Sequence, residues 1–447
     1  MRTMGGVGNQ FSREELRSII LPLLASLAPD WEFDEWEDRV DDSHLLIADL
    51  GLTSVEFIDL FVGIESACAR NIGFHDLLMV DGRYISDLSL GALIDYVVER
   101  IQAGDQGKVK ATARVQNQPL ESTSSDPSAQ LDSTHIARFK GIIPPPGPLP
   151  ATGSKLAKAV FVFSAPRSGS TLLQAILAGH PELFAPPELH LLWYSDLAER
   201  RQVFHLKDNR HLTSGAIRAL MALEGLDAEA ATIRMDELEA AKTPVREFYA
   251  LLQSRLGTRL LVDKTPSSAL LIDVLERAEA LFEEAIYIHL VRHPGGMIQS
   301  FIDAKLERAV PFMQRHCAEF SREQFAELTW LACNENITAF LEKIPKQRKH
   351  RILYENMVQD PEITLRDLCR ALSIPFQPQM LDPYHDKNQR MTDGLYRVGE
   401  MSGDLKFHLH DRINPDAAYR WRSYANLDAI SDRTWSLAAS YGYQCGD

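Results

Sequence analysis

The stretch that decides the fold of the larger part of the chain reads KAVFVFSAPRSGSTLLQAILAGH and runs from Lys158 to His180. Its residues 159–163 are apolar and mostly β-branched or aromatic, which predicts a short buried strand. In the turn that follows, Gly169 lets the backbone fold tightly and Arg167 adds a fixed positive charge. A helix is expected to begin at about Ser170. Because the first N–H groups of a helix have no partner within it, this turn is predicted to bind a phosphate or sulfonate group.

The nucleotide-binding P-loop is the nearest alternative for this turn, and its residues argue against it. That motif requires G-x-x-x-x-G-K-[ST], whereas Ser164 stands here at the first Gly position and Ser170 where the Lys is needed. A magnesium–nucleotide site is therefore not expected. A serine- and glycine-rich turn that binds nothing stays open as a second alternative.

The length of 447 residues exceeds one ordinary domain and indicates two or three. Apolar runs are broken by charge before the roughly 20 residues that a membrane span needs, and the N-terminus lacks the apolar core of a signal peptide. We therefore expect a soluble, cytoplasmic protein without a membrane partner. The five cysteines form no C-x-x-C pair and no cluster with histidine, so neither disulfides nor a metal site is predicted.

Negative charge is concentrated in the first quarter of the chain. Residues 1–104 hold nineteen Asp or Glu side chains against seven Arg and no Lys, which accounts for most of the net charge of −15. Phosphate binding requires a basic face, so nucleic acid is not expected as a partner of this part. A solvated acidic surface is one interpretation, and docking onto a basic partner is the other.

The first hundred residues predict an all-α bundle of the four-helix type. Apolar residues recur at helical spacing over residues 11–27, where Ser12 and Glu15 are placed to form a capping box. A second helix is expected to begin at Ser54, and a last amphipathic segment covers residues 85–101.

A change of composition separates this bundle from the larger domain. Residues 104–155 are rich in Gly, Gln, Ser, Thr and Pro and hold few large apolar side chains. Such a composition cannot bury enough surface to order itself, so a flexible linker is predicted. The resulting domains are residues 1–103, the linker at 104–155, and residues 156–447.

Strands and helices alternate in the larger domain, which predicts an α/β fold with a central parallel sheet covered on both sides. Three further apolar runs predict strands at residues 259–264, 285–291 and 351–357. Residues 196–256 are expected to form a helical cap. Basic side chains in the cap would suit an acidic partner, and they are His205, Lys207, Arg210 and His211.

Residues 49–57 read DLGLTSVEF and resemble the D-L-G-x-D-S-L attachment site of acyl and peptidyl carrier proteins. The resemblance implies that Ser54 carries 4′-phosphopantetheine, installed by a phosphopantetheinyl transferase. Two residues depart from the pattern, because Thr53 stands where the family has Asp and Val55 where it has Leu or Met. Acidic residues that partner enzymes of the family read are retained as Glu56, Asp59 and Glu65. A degenerate carrier-like bundle that serves only for docking is the alternative.

The loop PRSGSTLL at residues 166–173 resembles the 5′-phosphosulfate loop of the sulfotransferases, in the form of the tyrosylprotein and bacterial branches. The resemblance implies the donor 3′-phosphoadenosine 5′-phosphosulfate (PAPS). Its 5′ end would be bound by Arg167, Ser168, Gly169, Ser170 and Thr171. Residues 291–300 resemble the V-R-[DN]-P…S element, in which Arg292 and Ser300 bind the 3′-phosphate and His293 replaces the usual Asp or Asn. A looser match at residues 397–407 adds Arg397 and Gly403 as implied donor contacts.

Candidate catalytic side chains follow the His-Pro element at residues 180–181. Glu188 comes after two prolines that constrain its loop, and a Glu after the same element is the catalytic base of the tyrosylprotein sulfotransferases. An exposed loop carboxylate is the plain alternative for Glu188, and His190, nearer to neutrality when unperturbed, is its main competitor as the base. In the family, the Lys that corresponds to Lys264 faces the sulfuryl group. Lys264, Arg167 and the loop N–H groups would stabilise the charge that develops on the bridging oxygen.

Together the two resemblances imply transfer of a sulfuryl group from PAPS to a hydroxyl of an acyl or peptidyl intermediate held on Ser54. Similar carrier–sulfotransferase pairs occur in polyketide assembly lines, where sulfation of a β-hydroxyacyl group prepares a terminal alkene. Upstream synthase modules are therefore expected partners, and elimination after sulfation stays open. The alternatives are a sulfotransferase for a free hydroxyl compound, with the bundle as docking module, and a kinase, which the missing P-loop Lys disfavours.

Overall fold

The computed structural model describes residues 11–27, 40–47, 50, 52, 54–68, 70, 72–74, 77, 79–80, 83–84, 87–103, 131–149, 153–204, 212–391, 407, 410–423 and 426–444. The chain divides into two compact units, the first built mainly from residues up to 122 and the second mainly from residues after it. No helix in the described ranges is long and apolar enough to span a membrane.

The described residues of the first unit include three helices, α1 Arg13–Leu27, α2 Ser54–Ala67 and α3 Leu90–Ala103. The predicted capping box at the start of α1 is confirmed. The N–H of Glu15 donates to Ser12 Oγ at 3.2 Å, and the N–H of Ser12 donates to Glu15 Oε2 at 2.8 Å. The apolar faces of the three helices form one core that includes Leu16, Ile20, Leu60, Phe61, Leu93 and Ile94.

This unit is not purely helical, because strand β1 Met79–Val80 pairs antiparallel with strand β2 Arg83–Tyr84. Helical periodicity gave no sign of this short pair. That the first unit is a carrier bundle of the four-helix type therefore stays a prediction.

Helix α4, Ser133–Ile142, lies inside the range predicted to be a flexible linker. Asp132 caps its first turn, where its Oδ1 accepts from the N–H groups of Thr134 and His135, each at 2.9 Å. Phe139 is 1% exposed and belongs to the core of the second unit. The linker prediction is therefore wrong for this segment, while residues 104–130 lie outside the described residues.

A five-stranded parallel sheet forms the centre of the second unit, in the order β4-β5-β3-β6-β7. Its strands are β3 Ala159–Phe163, β4 Leu183–Phe184, β5 Leu260–Lys264, β6 Ile286–Val291 and β7 Lys349–Leu353. All residues of β3 and β6 are buried, as expected of near-continuous apolar strands in the middle of a parallel sheet. The predicted α/β fold with a central parallel sheet is confirmed.

Many helices accompany this sheet. They are α5 Ser170–Ala178, α6 Leu197–Phe204, α7 Ser214–Glu224, α8 Ala228–Ala240, α9 Val245–Ser254, α10 Ile272–Leu281, α11 Pro294–Asp303, α12 Leu306–Ala309, α13 Pro311–Gln314, α14 Arg322–Glu342, α15 Tyr354–Gln359, α16 Pro361–Leu372, α17 Lys387–Met391 and α18 Asp432–Ala439. The strand predicted at residues 351–357 ends early, because Tyr354 already begins α15.

Candidate active site

The candidate site lies at the edge of the sheet where the central strands end. Val162 of β3 pairs with Lys264 of β5, and Phe163 of β3 pairs with His289 of β6. Because parallel strands end at one edge, this register brings together the loop before α5, the residues after Lys264, and the turn before α11. Open α/β sheets bind their ligands at this edge.

The turn that the sequence predicts to bind an anion has the backbone shape that its glycine permits. Gly169 has φ of +89°, and a Cβ there would lie 2.4 Å from the ring of Tyr354, so no larger residue fits without movement. Helix α5 begins at Ser170, as the sequence predicts. The side chains of Ser168, Ser170 and Thr171 are all buried around the turn.

Two arginines that follow different strands, Arg167 after β3 and Arg292 after β6, meet at this turn. Arg167 Nε donates to Ser300 Oγ on α11 at 3.2 Å. Arg292 Nη1 donates to the carbonyl oxygen of Arg167 at 2.9 Å, and its guanidinium carbon lies 4.5 Å from the centre of the Tyr354 ring. The residues predicted to bind the two phosphate-bearing ends of a donor are thus brought into contact, although 133 positions separate Arg167 from Ser300.

Three buried side-chain atoms near this turn have no hydrogen-bond partner among the described residues. They are Ser164 Oγ, Ser168 Oγ and Arg292 Nε. Leaving a buried donor unsatisfied costs about 1 to 3 kcal/mol, so the arrangement fits a bound anion that offers several acceptor oxygens.

A second cluster forms where β5 ends. Lys264 Nζ donates to Glu188 Oε1 at 2.7 Å, and His190 Nε2 lies 3.1 Å from Glu188 Oε2. The three residues are 1%, 7% and 7% exposed for Lys264, Glu188 and His190 respectively. Glu188 is therefore a buried, paired carboxylate rather than an exposed loop residue.

The partners of Glu188 decide its ionisation. Burial raises the pKa of this carboxyl group, but the charge of Lys264 and the hydrogen bonds from His190 and Lys264 outweigh burial and hold the pKa well below its usual range. As long as Lys264 stays bonded to it, Glu188 alone is a weak proton acceptor. The resemblance implies that Lys264 faces the sulfuryl group, and in the structure Lys264 contacts this carboxylate.

A family model described as the sulfotransferase family matches residues 159–378. The sulfotransferase domain from the curacin biosynthetic pathway is 36% identical, with a TM-score of 0.60, over 65% of this chain and 99% of that domain. The second unit belongs to the sulfotransferase family. It is thus a transferase unit, and we call it the sulfotransferase unit below.

Two further comparisons agree with this assignment. The sulfotransferase domain from the Synechococcus PCC 7002 olefin synthase is 36% identical, with a TM-score of 0.58, over 66% of this chain and 98% of that domain. Nodulation protein NoeE of Sinorhizobium fredii is 30% identical over 231 residues. This match covers 49% of the chain and 51% of NoeE, so the chain spans about half the length of this curated relative.

A polar network beneath the second cluster of the sulfotransferase unit escaped the sequence analysis. The backbone N–H of His190 donates to Thr265 Oγ1 at 3.3 Å, and the Thr265 hydroxyl donates to Asp263 Oδ1 at 2.8 Å. Tyr249 OH donates to the other oxygen of Asp263. Burial raises the pKa of Asp263. The one available signal was an Asp within an apolar strand, directly before Lys264.

Other predicted residues lie outside the described part or have other contacts. Arg397, Gly403 and the cap residues at 205–211 lie outside the described residues, as does Thr53. Ser54 is the first residue of α2, and its side chain lies outside the description. Glu65, predicted to face partner enzymes, accepts from the N–H groups of Ile72 and Gly73 at 2.9 and 3.2 Å.

Proposed function

We propose that the chain transfers a sulfuryl group from PAPS to a hydroxyl of an acyl or peptidyl intermediate, which phosphopantetheine tethers to Ser54. One observation carries the donor assignment. Arg167, Ser300 and Arg292 meet at a tight turn before a helix N-terminus, with donor atoms left over for an anion. This chemistry suits a ligand with phosphate and sulfate groups at both ends.

The donor supplies an activated sulfuryl group, and the protein orients it and stabilises charge. The N–H groups at the start of α5 and the guanidinium of Arg167 bind the 5′-phosphosulfate in this proposal. Arg292 and Ser300 bind the 3′-phosphate. Lys264 lies on the neighbouring strand, where its ammonium group stabilises negative charge on the bridging oxygen during transfer.

Glu188 and His190 act in this proposal as one proton-accepting pair. The imidazole donates from Nε2 to the carboxylate, which leaves Nδ1 as the atom that accepts the proton of the acceptor hydroxyl. Ser267 Oγ lies 3.5 Å from Nδ1, so a hydroxyl group already lies near this atom. The low pKa of Glu188 keeps it ionised, so that it stabilises the imidazolium that forms.

The carrier assignment is supported by the residues of the first unit and by the two similar domains. Ser54 begins a helix, the position that the carrier-like string DLGLTSVEF gives it. Both 36% identical domains come, by their descriptions, from biosynthetic enzymes, the curacin pathway and an olefin synthase. An acceptor carried by the same chain raises its effective concentration at the site without new contacts.

The test uses the full chain, loaded on Ser54 with a β-hydroxyacyl phosphopantetheine and incubated with PAPS. We expect intact-mass spectrometry to show a gain of one sulfuryl group on the loaded chain, together with release of the 3′,5′-bisphosphate product. Sulfation of a free β-hydroxyacyl pantetheine, with none on the loaded chain, would contradict the tethered acceptor and favour the docking-module alternative.

A further inference from the structure

Arg200 is a fully buried arginine in the sulfotransferase unit, on α6, with 0% of its side chain exposed. Its Nε donates to the carbonyl oxygen of Leu189 at 3.2 Å, and its Nη2 donates to that of Leu212 at 3.1 Å. Burying a guanidinium is expensive unless it is paired and hydrogen-bonded. An apolar residue would fill this position without the free-energy cost of burying a charge. The contacts that Arg200 makes are therefore expected to have a function.

One of these contacts fixes the backbone of the candidate proton acceptor. Leu189 lies between Glu188 and His190, the two members of the pair. His190 has φ of +50°, a strained conformation for a residue with a side chain, which persists only where the surroundings hold it. Arg200 supplies one such contact through the Leu189 carbonyl.

The same short segment is held from two other directions. The N–H of His190 donates to Oγ1 of Thr265, the residue that follows Lys264. Gly215 on α7 packs so closely that a Cβ there would lie 2.0 Å from the carbonyl oxygen of Glu188. Three elements therefore determine where the two side chains point, and Arg200 is the charged one.

An aromatic contact gives Arg200 a second route to His190. Its guanidinium carbon lies 5.0 Å from the centre of the Phe204 ring, and this ring meets the imidazole of His190 edge-on at 5.6 Å. The charge of Arg200 is balanced at 3.8 Å by Glu239, which is 3% exposed. Arg201, the next residue, shares this carboxylate at 3.2 Å but is itself partly exposed and also contacts Asp236.

We propose that Arg200 is a positioning residue, which holds the Leu189 carbonyl and so sets the geometry of the Glu188–His190 pair. This inference rests on the proposed function of that pair as proton acceptor. A merely structural role for Arg200 would stabilise α6 and the fold but leave the chemistry of the pair unchanged.

The neighbouring arginine provides a matched comparison. In the double variant Arg200→Met/Glu239→Gln the buried charges are removed together, so that folding is not confounded by an unpaired carboxylate. Arg200→Lys keeps the charge beside Glu239, but one ammonium cannot reproduce the planar fork that reaches two carbonyls. Arg201→Met is the control. All are made in the full chain.

For both Arg200 variants we expect kcat for sulfuryl transfer to fall at least about tenfold, because small misplacements of reacting groups are expensive. Affinity for 3′-phosphoadenosine 5′-phosphate should stay near that of the wild type, and the acid limb of the pH profile of kcat should move. The control Arg201→Met should keep the kcat and the pH profile of the wild type. Selective ¹⁵N labelling of histidine, assigned with His190→Asn, should show changed imidazole signals of His190 in the Arg200 variants alone.

Two results would overturn the positioning role. Either the Arg200 variants show lower thermal stability with unchanged kcat, pH profile and His190 signals, or Arg201→Met reproduces their whole signature. Failure of the proposed function has a different signature. The wild type would then transfer no sulfuryl group, while the His190 signals of the Arg200 variants would still move, so that Arg200 would set the geometry of the pair without a role in sulfuryl transfer.

Discussion

Glu188 and His190 touch each other, and each changes what the other can do. One carboxylate oxygen faces the imidazole and the other accepts from Lys264. Residues that act as a unit give strongly non-additive losses when they are removed. We therefore expect Glu188→Gln and His190→Asn each to lower kcat at least about a hundredfold, and the double variant to lose little more than either.

Single-turnover transfer at saturating donor measures this prediction, with affinity for 3′-phosphoadenosine 5′-phosphate as the control for folding and donor binding. Losses that simply multiply would mean that the two residues act independently. If one of the two single variants had a nearly wild-type kcat, the other residue alone would be the proton acceptor.

The Glu188–Lys264 pair also predicts a pH dependence of stability. The pKa of Glu188 is lower in the folded chain than in the unfolded chain, where it is about 4.3. The ionised carboxylate therefore stabilises the fold above that pH, and this contribution is lost as the pH falls below it. Relative to the variant Glu188→Gln/Lys264→Met, the wild type should lose free energy of unfolding between neutral pH and about pH 3.

Urea unfolding of both proteins across this pH range provides the measurement. The single variant Glu188→Gln should be destabilised by about 3 to 5 kcal/mol at neutral pH, because it leaves the ammonium of Lys264 buried without its partner. Parallel stability curves for the wild type and the double variant would show that the pair contributes no pH-dependent stability.

Arg292 tests the donor site at the level of one side chain. It is held between the Arg167 carbonyl and the Tyr354 ring, with Nε unsatisfied among the described residues. A hydrogen bond to a charged group is worth about 1.5 to 3 kcal/mol, so Arg292→Gln should weaken binding of 3′-phosphoadenosine 5′-phosphate roughly tenfold or more.

Calorimetric titration should show little change for the analogue without the 3′-phosphate. Arg366→Gln, at an exposed ion pair with Glu362, is the control. Equal losses for the two nucleotides would remove the 3′-phosphate assignment.

At the scale of elements, the sequence predicted four of the five strands of the sheet and the start of α5 after its turn, because their signals are local, and it did not predict the two-residue strand β4. Residues 159–163 are apolar without interruption, and Gly169 permits the positive φ that the turn adopts. Tyr354 shows the limit of this reasoning. Its ring closes on Gly169 and Arg292 from a segment far along the chain, and only the folded arrangement of the sheet brings it there.

Helix α4 was missed for a different physical reason. Composition averaged over residues 104–155 is polar and rich in Pro, and the average hides one short apolar face. Ile136, Phe139 and Ile143 are spaced to lie on one side, and they are buried in the core of the sulfotransferase unit. Tertiary packing, rather than local propensity, stabilises this helix.

Phe139 provides the test of that packing. Its ring lies 6.4, 6.3 and 6.4 Å from the rings of Phe312, Phe320 and Phe325. We expect Phe139→Ala to destabilise the sulfotransferase unit by about 3 to 5 kcal/mol, as for other buried aromatic residues, when unfolding is followed by denaturant titration. Lys140→Ala, on the exposed side of α4, should change stability by less than about 1 kcal/mol. If Phe139→Ala had no effect on stability, α4 would belong to the linker rather than to the core of the sulfotransferase unit.

At the scale of the whole molecule, the proposal joins an acidic unit that carries the acceptor to a unit that binds the donor. The two assignments depend on different residues and can fail separately. The donor site depends on the contacts of Arg167 and Arg292, whereas the carrier depends on Ser54 and on a motif in which Thr53 replaces the usual Asp. The carrier therefore needs its own test.

That test follows the mass of the full chain. If Ser54 is the attachment site, a broad-specificity phosphopantetheinyl transferase and coenzyme A should add one phosphopantetheine group, and Ser54→Ala should abolish the addition. Because a serine at the start of a helix commonly caps its first turn, Ser54→Ala is expected to lower stability by about 0.5 to 2 kcal/mol. Ser54→Asn, which keeps a capping side chain but cannot be modified, separates the two effects. Thr53→Asp should speed loading if the departure from the carrier motif weakens recognition. An unchanged wild-type mass with several transferases, and with Thr53→Asp as well, would make the first unit a docking module and leave a free hydroxyl compound as the acceptor.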